Sequence, residues 1–224
     1  MLLEKKEIQG HSIVCIGSFN PTIFQPEWFA RNGLIAEKQV ETAQIELIHK
    51  DLTIFSLDWL KLELTRDRFA ISTLNEAFYE ALRDLVFGIF KILKHTPINQ
   101  AGFNFEYHVG ISSNEEMLKF LNLVSPMAYW SKIFDDPEFG SILIKEKRKT
   151  KPDGFTSIRI EKSFRITNGL FFQFNDHFEF IESGMQQKDA SGLLSTIDTY
   201  WSSSMDNSKL IIEKIWQAKN EFIK

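Results

Sequence analysis

The stretch that decides the fold runs from Ile158 to Phe180 and reads IRIEKSFRITNGLFFQFNDHFEF. Apolar and polar residues alternate on both sides of Asn168-Gly169, a pair typical of a turn between antiparallel strands. Because successive side chains of a strand point to opposite faces, each strand has one apolar and one polar face. The stretch therefore predicts a β-hairpin with its apolar face buried and its polar face free.

Three further elements are predicted ahead of this hairpin. Residues 101–111 alternate between apolar and polar side chains, which indicates a half-buried strand. A helix follows, because Ser113 stands three residues before Glu116 in the spacing of a capping box. A short strand is then predicted over residues 141–145, and a basic loop connects it to the hairpin.

Two helical patterns end the chain. Apolar residues recur at helical intervals over 193–201 and again over 211–222. Between them stands the triplet Ser202-Ser203-Ser204, and serine favours caps and turns over helix interiors. The sequence therefore predicts two helices with a break or bend at the triplet.

The first half of the chain repeats this order of elements with little residue identity. A strand is predicted near 13–19, and a short helix opens at Pro26. Strands near 43–48, 53–64 and 68–72 follow, and then a long amphipathic helix.

For the whole chain we predict an α+β fold of two pseudo-repeated β-α-β-β-β-α halves, with antiparallel sheets and helices packed on one face. A charged N-terminal tail over 1–10 precedes the first half over 11–97, and the second half covers 98–224. The halves could also form one integrated domain. In either arrangement, we expect a polar surface of the sheet to remain uncovered and available for binding.

The composition limits the classes of protein to which this chain can belong. A hydrophobic share of 43% is typical of a globular chain, and 21 phenylalanines predict a bulky core. The net charge of −4 argues against non-specific binding to nucleic acid or to an anionic membrane. Cys15 stands alone in an apolar run, so we expect a buried thiol, no internal disulfide and a cytoplasmic location. The sequence shows no export signal, no membrane span and no cofactor or metal motif.

Candidate catalytic residues lie on the polar face of the predicted sheet. Glu106 and His108 are two residues apart on one strand, and His177 and Glu179 are two apart on another. Residues two apart share a face, so each pair could hold a proton in acid-base chemistry of a hydrolase type. Half-exposed polar strands are common in antiparallel sheets, and this is the alternative explanation.

The most asymmetric charge feature is a basic hairpin tip between two strands. Five basic residues fall within seven positions: Lys145, Lys147, Arg148, Lys149 and Lys151. Such a cluster could bind phosphates of a nucleic acid or nucleotide, or an acidic protein surface. Alternatively, its lysines only keep an exposed strand from pairing with a neighbour.

Three functions follow from these features. The first is a non-catalytic interaction protein, such as an accessory subunit, an inhibitor or a self-associating module, that uses its sheet face or an aromatic surface. A composition rich in Lys, Ile, Asn and Phe suggests a bacterial origin for it. The alternatives are a nucleic-acid or nucleotide sensor using the basic hairpin, and an enzyme using the Glu/His pairs.

Overall fold

The computed structural model describes Leu2, residues 6–181 and residues 189–222, with side chains up to residue 218. The predicted α+β fold with an antiparallel sheet is confirmed. In the described part of the chain the strands are β1 (Lys6–Gly17), β2 (Gln44–Ile48), β3 (Leu52–Leu57), β4 (Leu60–Thr65), β5 (Arg68–Thr73), β6 (Ile98–Gly110), β7 (Ser141–Lys147), β8 (Asp153–Lys162) and β9 (Gly169–Glu179).

All nine of these strands belong to one sheet, in the order β2-β3-β4-β5-β1-β6-β9-β8-β7. β1 and β6 lie side by side in the centre, from the pair Lys6 and Val109 to the pair Gly17 and Ile98. The segments predicted as two halves therefore join in one sheet through β1 and β6. The first contributes five strands and the second four, and their descent from a duplication stays a prediction.

The helices that contact the sheet pack on one of its faces, and the part of the chain that the structure describes has six α-helices. They are α1 (Pro26–Arg31), α2 (Glu37–Glu41), α3 (Tyr79–Ile92), α4 (Asn114–Val124), α5 (Met127–Trp130) and α6 (Ser191–Phe222). Ser113 caps α4, as its spacing predicts, by accepting a hydrogen bond of 3.1 Å from the backbone N–H of Glu116. Against α6 lie β6 and β9, and against α3 lie β1 and β5.

Phenylalanine fills the space between helices and sheet. Phe103, Phe105, Phe172 and Phe174 are fully buried on the helix-covered face, and Trp201 of α6 packs edge-on against Phe103 at 5.6 Å. Each such side chain removes on the order of 150–250 Å² of apolar surface from water, so few residues build a large core. Cys15 is buried within β1, as the sequence predicts.

Two predicted boundaries differ from the structure, and the first differs because a chain reversal changes the phase of the apolar pattern. The predicted strand over 53–64 is two strands, since Leu57 pairs with Leu60 across a two-residue turn. The buried positions switch there from odd to even numbers, which is the signal of the reversal. Residues 6–10, assigned to the tail by sequence, belong to β1.

The predicted break at Ser202-Ser203-Ser204 is wrong, because α6 is continuous from Ser191 to Phe222. Ser204 and Ser208 are buried on the stripe of α6 that faces the sheet. Their hydroxyls have partners there: Ser204 donates to Asp176, and Ser208 lies 3.0 Å from the hydroxyl of Tyr107. Because these serines satisfy buried polar groups, they do not end the helix.

The decisive hairpin is present as β8 and β9, and Asn168 has the positive φ of 52° that a tight reversal needs. Its connection is longer than two residues, however, because Lys162 pairs with Leu170. Ser163 holds the loop by accepting backbone hydrogen bonds from Arg165 and Ile166. Phe164, predicted to be inward-facing, is therefore 79% exposed in this loop.

Candidate interaction surfaces

No helix packs on the second face of the sheet in the described part of the chain, and a polar row crosses it from edge to edge. One residue of each strand is aligned by register in this row, in the order Gln44, Ser56, Lys61, Ser72, Ser12, Asn104, Asn175, Ser157 and Lys145. Antiparallel sheets tolerate such a solvated face, because water satisfies its polar side chains. We call this surface the polar row.

Short side chains make the polar row a trough near the centre of the sheet. Gly10, Ser12 and Ser72 help to line a hollow of about 510 Å³ there. Trp59 and Arg165 contribute long side chains to the same hollow. Its lining carries charges of both signs and no dominant apolar wall, so it selects no single class of small ligand.

The predicted Glu/His pairs lie on this uncovered face but do not meet. Glu106 is paired in register with Gln173, whose amide donates to its carboxylate at 2.7 Å. His177 is paired with Gly102, four residues from Glu106 along β6. At about 3.4 Å per residue this separates the two pairs by roughly 14 Å. They therefore form two separate sites and no shared acid-base or metal centre.

Each histidine of these pairs has a local partner instead. His108 Nδ1 lies 2.8 Å from the hydroxyl of Ser163, and burial, followed by the charge of Arg165, lowers the pKa of this histidine. Burial also lowers the pKa of His177, whose Nε2 lies 3.8 Å from Glu179. Both shifts favour the neutral form of the imidazole. No group of three or more metal-binding side chains gathers anywhere in the residues that the structure describes.

Of the five basic residues at the hairpin tip, Arg148 has a buried side chain and the four lysines are exposed. Arg148 turns under the sheet edge and forms a buried ion pair with Asp176 of β9. Its guanidinium also lies 4.2 Å from the ring centroid of Phe178 and 4.8 Å from that of Tyr200. Arg148 therefore anchors the tip to the core and is not presented to solvent.

The four lysines of the cluster remain at the surface. Lys149 pairs with Glu146 at 3.3 Å, and Lys151 pairs with Asp153 at 2.9 Å. Lys145 and Lys147 form no ion pair with the described residues and lie on the uncovered face of β7. Phe155 lies beneath Lys145, with 4.4 Å from the amine to the ring centroid, and stacks on His177.

A surface that the sequence analysis did not locate lies at the β7 end of the sheet. Six large apolar residues are exposed within residues 129–144, and we call them the apolar edge: Tyr129, Trp130, Ile133, Phe134, Leu143 and Ile144. Three of them, Tyr129, Phe134 and Ile144, are 60%, 59% and 56% exposed. Trp130 and Phe134 share a hollow of about 400 Å³ with Ser141 at the start of β7.

An apolar groove continues from this edge onto the helix-covered face. It has a volume of about 520 Å³ and is lined mainly by branched aliphatic side chains, namely Val124, Ile142, Ile144, Ile158, Ile160, Ile211 and Ile215. The groove lies along β7 and β8 beside α4 and α6. A periodic sequence pattern could not reveal it, because the same isoleucines also fit a closed core.

These features define an α+β protein with one polar sheet face and one apolar sheet edge. The chain matches no known protein family model, and no curated protein has significant sequence similarity to it. Among the described residues, no helix combines the length and the apolar character needed to cross a membrane.

Proposed function

We propose that this chain is a non-catalytic interaction protein and that a partner protein binds at its apolar edge. The observation that carries the proposal is the concentration of exposed apolar side chains. Of the fifteen large exposed apolar residues in the described part of the chain, six fall within residues 129–144. A concentration of exposed apolar side chains marks protein interfaces, because covering them removes ordered water from both partners.

The residue types at the edge also suit an interface. Tyr129 and Trp130 pack edge-on at 5.2 Å, and Trp130 Nε1 donates to the hydroxyl of Ser125 at 3.3 Å. These contacts orient the rings before a partner arrives, so less side-chain entropy is lost on binding. Tyrosine and tryptophan are enriched among the residues that dominate binding energy.

The separation of the Glu/His pairs supports a non-catalytic role. An acid-base mechanism needs its groups within hydrogen-bond reach of one reacting atom. Glu106 accepts from Gln173 and His108 is bonded to Ser163, whereas His177 of the other pair stacks on Phe155, so each pair is engaged locally. The polar row then serves solubility and does not compete with the apolar edge for a partner.

The test compares variants of the apolar edge with a matched control. Phe134→Asp and Ile144→Asp place charges within the edge, whereas Phe164→Asp places one on the 79%-exposed loop residue elsewhere. The tagged protein is used to capture companions from its native host, and each captured protein is then purified and titrated. We expect a stoichiometric companion whose affinity falls at least about tenfold in either edge variant and is unchanged in the control.

Two results would contradict this proposal. One is the absence of any stoichiometric companion for the wild-type protein. The other is a companion that binds all three variants with wild-type affinity. Sedimentation of the free protein is measured in parallel, because a stable homo-oligomer that the edge variants dissociate would identify a second copy as the partner.

A further inference from the structure

The edge strand β7 offers a second feature by which a partner protein can be recognised, and this inference rests on the proposed function. Among the residues that the structure describes, β7 ends the strand order and pairs only with β8. The backbone groups on its outer side are therefore available to another strand, which is how extended peptides add to sheets. Six of its seven residues are exposed, and Ile142 is the partly buried one.

The side chains of β7 divide by face into two chemistries. Ile142 and Ile144 lie on the groove side, in register with Ile160 and Ile158, and Glu146 follows them on the same face. Lys145 and Lys147 lie on the other side, in register with Ser157 and Phe155, and Leu143 precedes them on that face. A strand added beside residues 142–147 would meet Ile142 and Ile144 on one face and the two lysines on the other, with Glu146 and Leu143 completing these faces.

The lysines also argue against pairing of β7 with the β7 of a second copy of this chain. Two copies of β7 would bring the lysines at positions 145 and 147 of both chains to one face, where like charges repel. A partner strand with acidic side chains on this face is instead attracted to the lysines. Neither lysine has an ion-pair partner among the described residues, so both charges are available to it.

The far end of β7 is held in place before any partner binds. The Arg148 backbone N–H donates to the carbonyl of Gly154 at 3.0 Å, and its side chain pairs with Asp176. Tyr200 of α6 donates its hydroxyl to the carbonyl of Lys151 at 2.7 Å. Because the turn is fixed to α6, a partner strand does not have to order it, and binding costs less entropy.

From these four observations we infer that β7 binds an extended peptide segment of a partner protein in which apolar and acidic residues alternate. The segment adds as a further strand of the sheet. Its apolar side chains lie beside Ile142 and Ile144 at the groove, and its carboxylates lie beside Lys145 and Lys147.

The experiment uses the full chain and three fluorescent peptides of the length of β7. One alternates glutamate with valine, a second alternates lysine with valine, and a third is the acidic peptide with alternate backbone nitrogens methylated. Binding is measured by fluorescence anisotropy, and amide hydrogen exchange reports protection of residues 141–147. The protein variants are K145E/K147E and K38E/K91E, which change net charge equally, the latter at exposed lysines of α2 and α3.

We expect the acidic peptide to bind at least about tenfold more tightly than the basic one, with affinity that falls as salt rises. The K145E/K147E variant should reverse that preference, and K38E/K91E should leave it unchanged. Methylation should abolish binding, because it removes the backbone donors that pair with β7. Amides of residues 141–147 should gain protection only with the unmethylated acidic peptide.

Three results would overturn the inference. The acidic peptide does not bind, or the methylated peptide binds as tightly as the unmethylated one. The third is that K145E/K147E still prefers the acidic peptide to the basic one. A natural companion distinguishes this failure from failure of the proposed function. If Ile144→Asp releases that companion while K145E/K147E retains it, the apolar edge binds protein but the acidic-strand inference is wrong. If Phe134→Asp, Ile144→Asp and K145E/K147E all leave it bound, the proposed function is wrong as well.

Discussion

Ser204, in the middle of α6, donates a hydrogen bond of 2.5 Å to the buried carboxylate of Asp176 on β9. The second oxygen of that carboxylate pairs with Arg148 beyond the end of β7. One charged side chain therefore connects the long helix, a strand near the sheet centre and the turn that follows the edge strand. The side chains of Arg148 and Asp176 are only 8% and 6% exposed.

We expect Asp176→Asn to destabilise the protein by about 3 kcal/mol, because it leaves the buried guanidinium of Arg148 without its counter-charge. Ser204→Ala should cost about 2 kcal/mol through the lost hydrogen bond to a charged group. The matched control is Ser203→Ala, at an exposed position one residue away, with a change near zero. Urea unfolding followed by circular dichroism measures all three.

A double-mutant cycle separates the ion pair from general damage to the core. Arg148→Met combined with Asp176→Asn should cost clearly less than the sum of the two single changes, because the double variant leaves no unpaired charge buried. Strict additivity of the free energies of unfolding would show that the two side chains do not depend on each other.

This arrangement also shows which part of the fold can be predicted from sequence. Asp176 occupies an inward position of β9 between Phe174 and Phe178, so a buried carboxylate could have been anticipated from the alternation alone. Ser204 lies on the apolar stripe of α6 in the same way. Neither pattern identifies the partner, because Arg148 reaches the site through a strand register that only the tertiary structure sets.

A second prediction concerns acid stability and His11. Its ring lies 4.3 Å from Phe105 and 4.5 Å from Trp201 by centroids, and burial lowers its pKa from 6.5 to about 3. The unfolded chain takes up a proton near pH 6.5, whereas the folded chain does not until about pH 3. Stability is therefore present above pH 6.5 and is lost as the pH falls towards 3.

The expected loss from this group is about 3 kcal/mol between pH 6.5 and about pH 4.5. His11→Phe keeps a ring in the aromatic surroundings and removes the proton site, so its free energy of unfolding should depend less steeply on pH over this window. His49→Phe is the control, because that side chain is 55% exposed. Equal slopes for wild type and His11→Phe would contradict the burial of this imidazole.

The apolar edge was beyond sequence reasoning for a different physical reason. Tyr129, Trp130, Ile133 and Phe134 have the composition of a helix that packs into a core, and exposure depends on what lies opposite. The excess of aromatic residues predicted an interface somewhere on the molecule. Its position had to come from the structure, in which Trp130 and Phe134 lie beside the start of β7.

A third prediction tests the turn next to the edge strand. Gly154 has a φ of +141°, and a Cβ added there would lie 2.0 Å from the carbonyl oxygen of His177. Gly154→Ala should therefore cost more than about 2 kcal/mol and increase hydrogen exchange in β7 and β8. Gly140→Ala is the control, since nothing lies within 4 Å of its added Cβ. Similar melting temperatures for the two variants would argue against this close approach.

The last prediction concerns the alternative that the basic hairpin binds nucleic acid. Phosphate binding needs several cations that are free to replace condensed counterions. Of the five basic residues, Arg148 is committed to Asp176, Lys149 to Glu146 and Lys151 to Asp153, and the whole chain carries a net charge of −4. We therefore expect no gel shift with single- or double-stranded DNA or RNA at about 0.15 M salt.

Lys147→Glu combined with Lys149→Glu is the discriminating variant, because both side chains are exposed and the change leaves the Arg148 anchor intact. Wild type and variant should migrate alike with every nucleic acid. If the wild-type protein alone shifts the probe, and salt weakens that complex, the exposed lysines suffice for phosphate binding and the sensor function replaces the protein-binding one. The same variant retains Lys145 and the isoleucines of β7, so an acidic peptide should still bind it more tightly than a basic one.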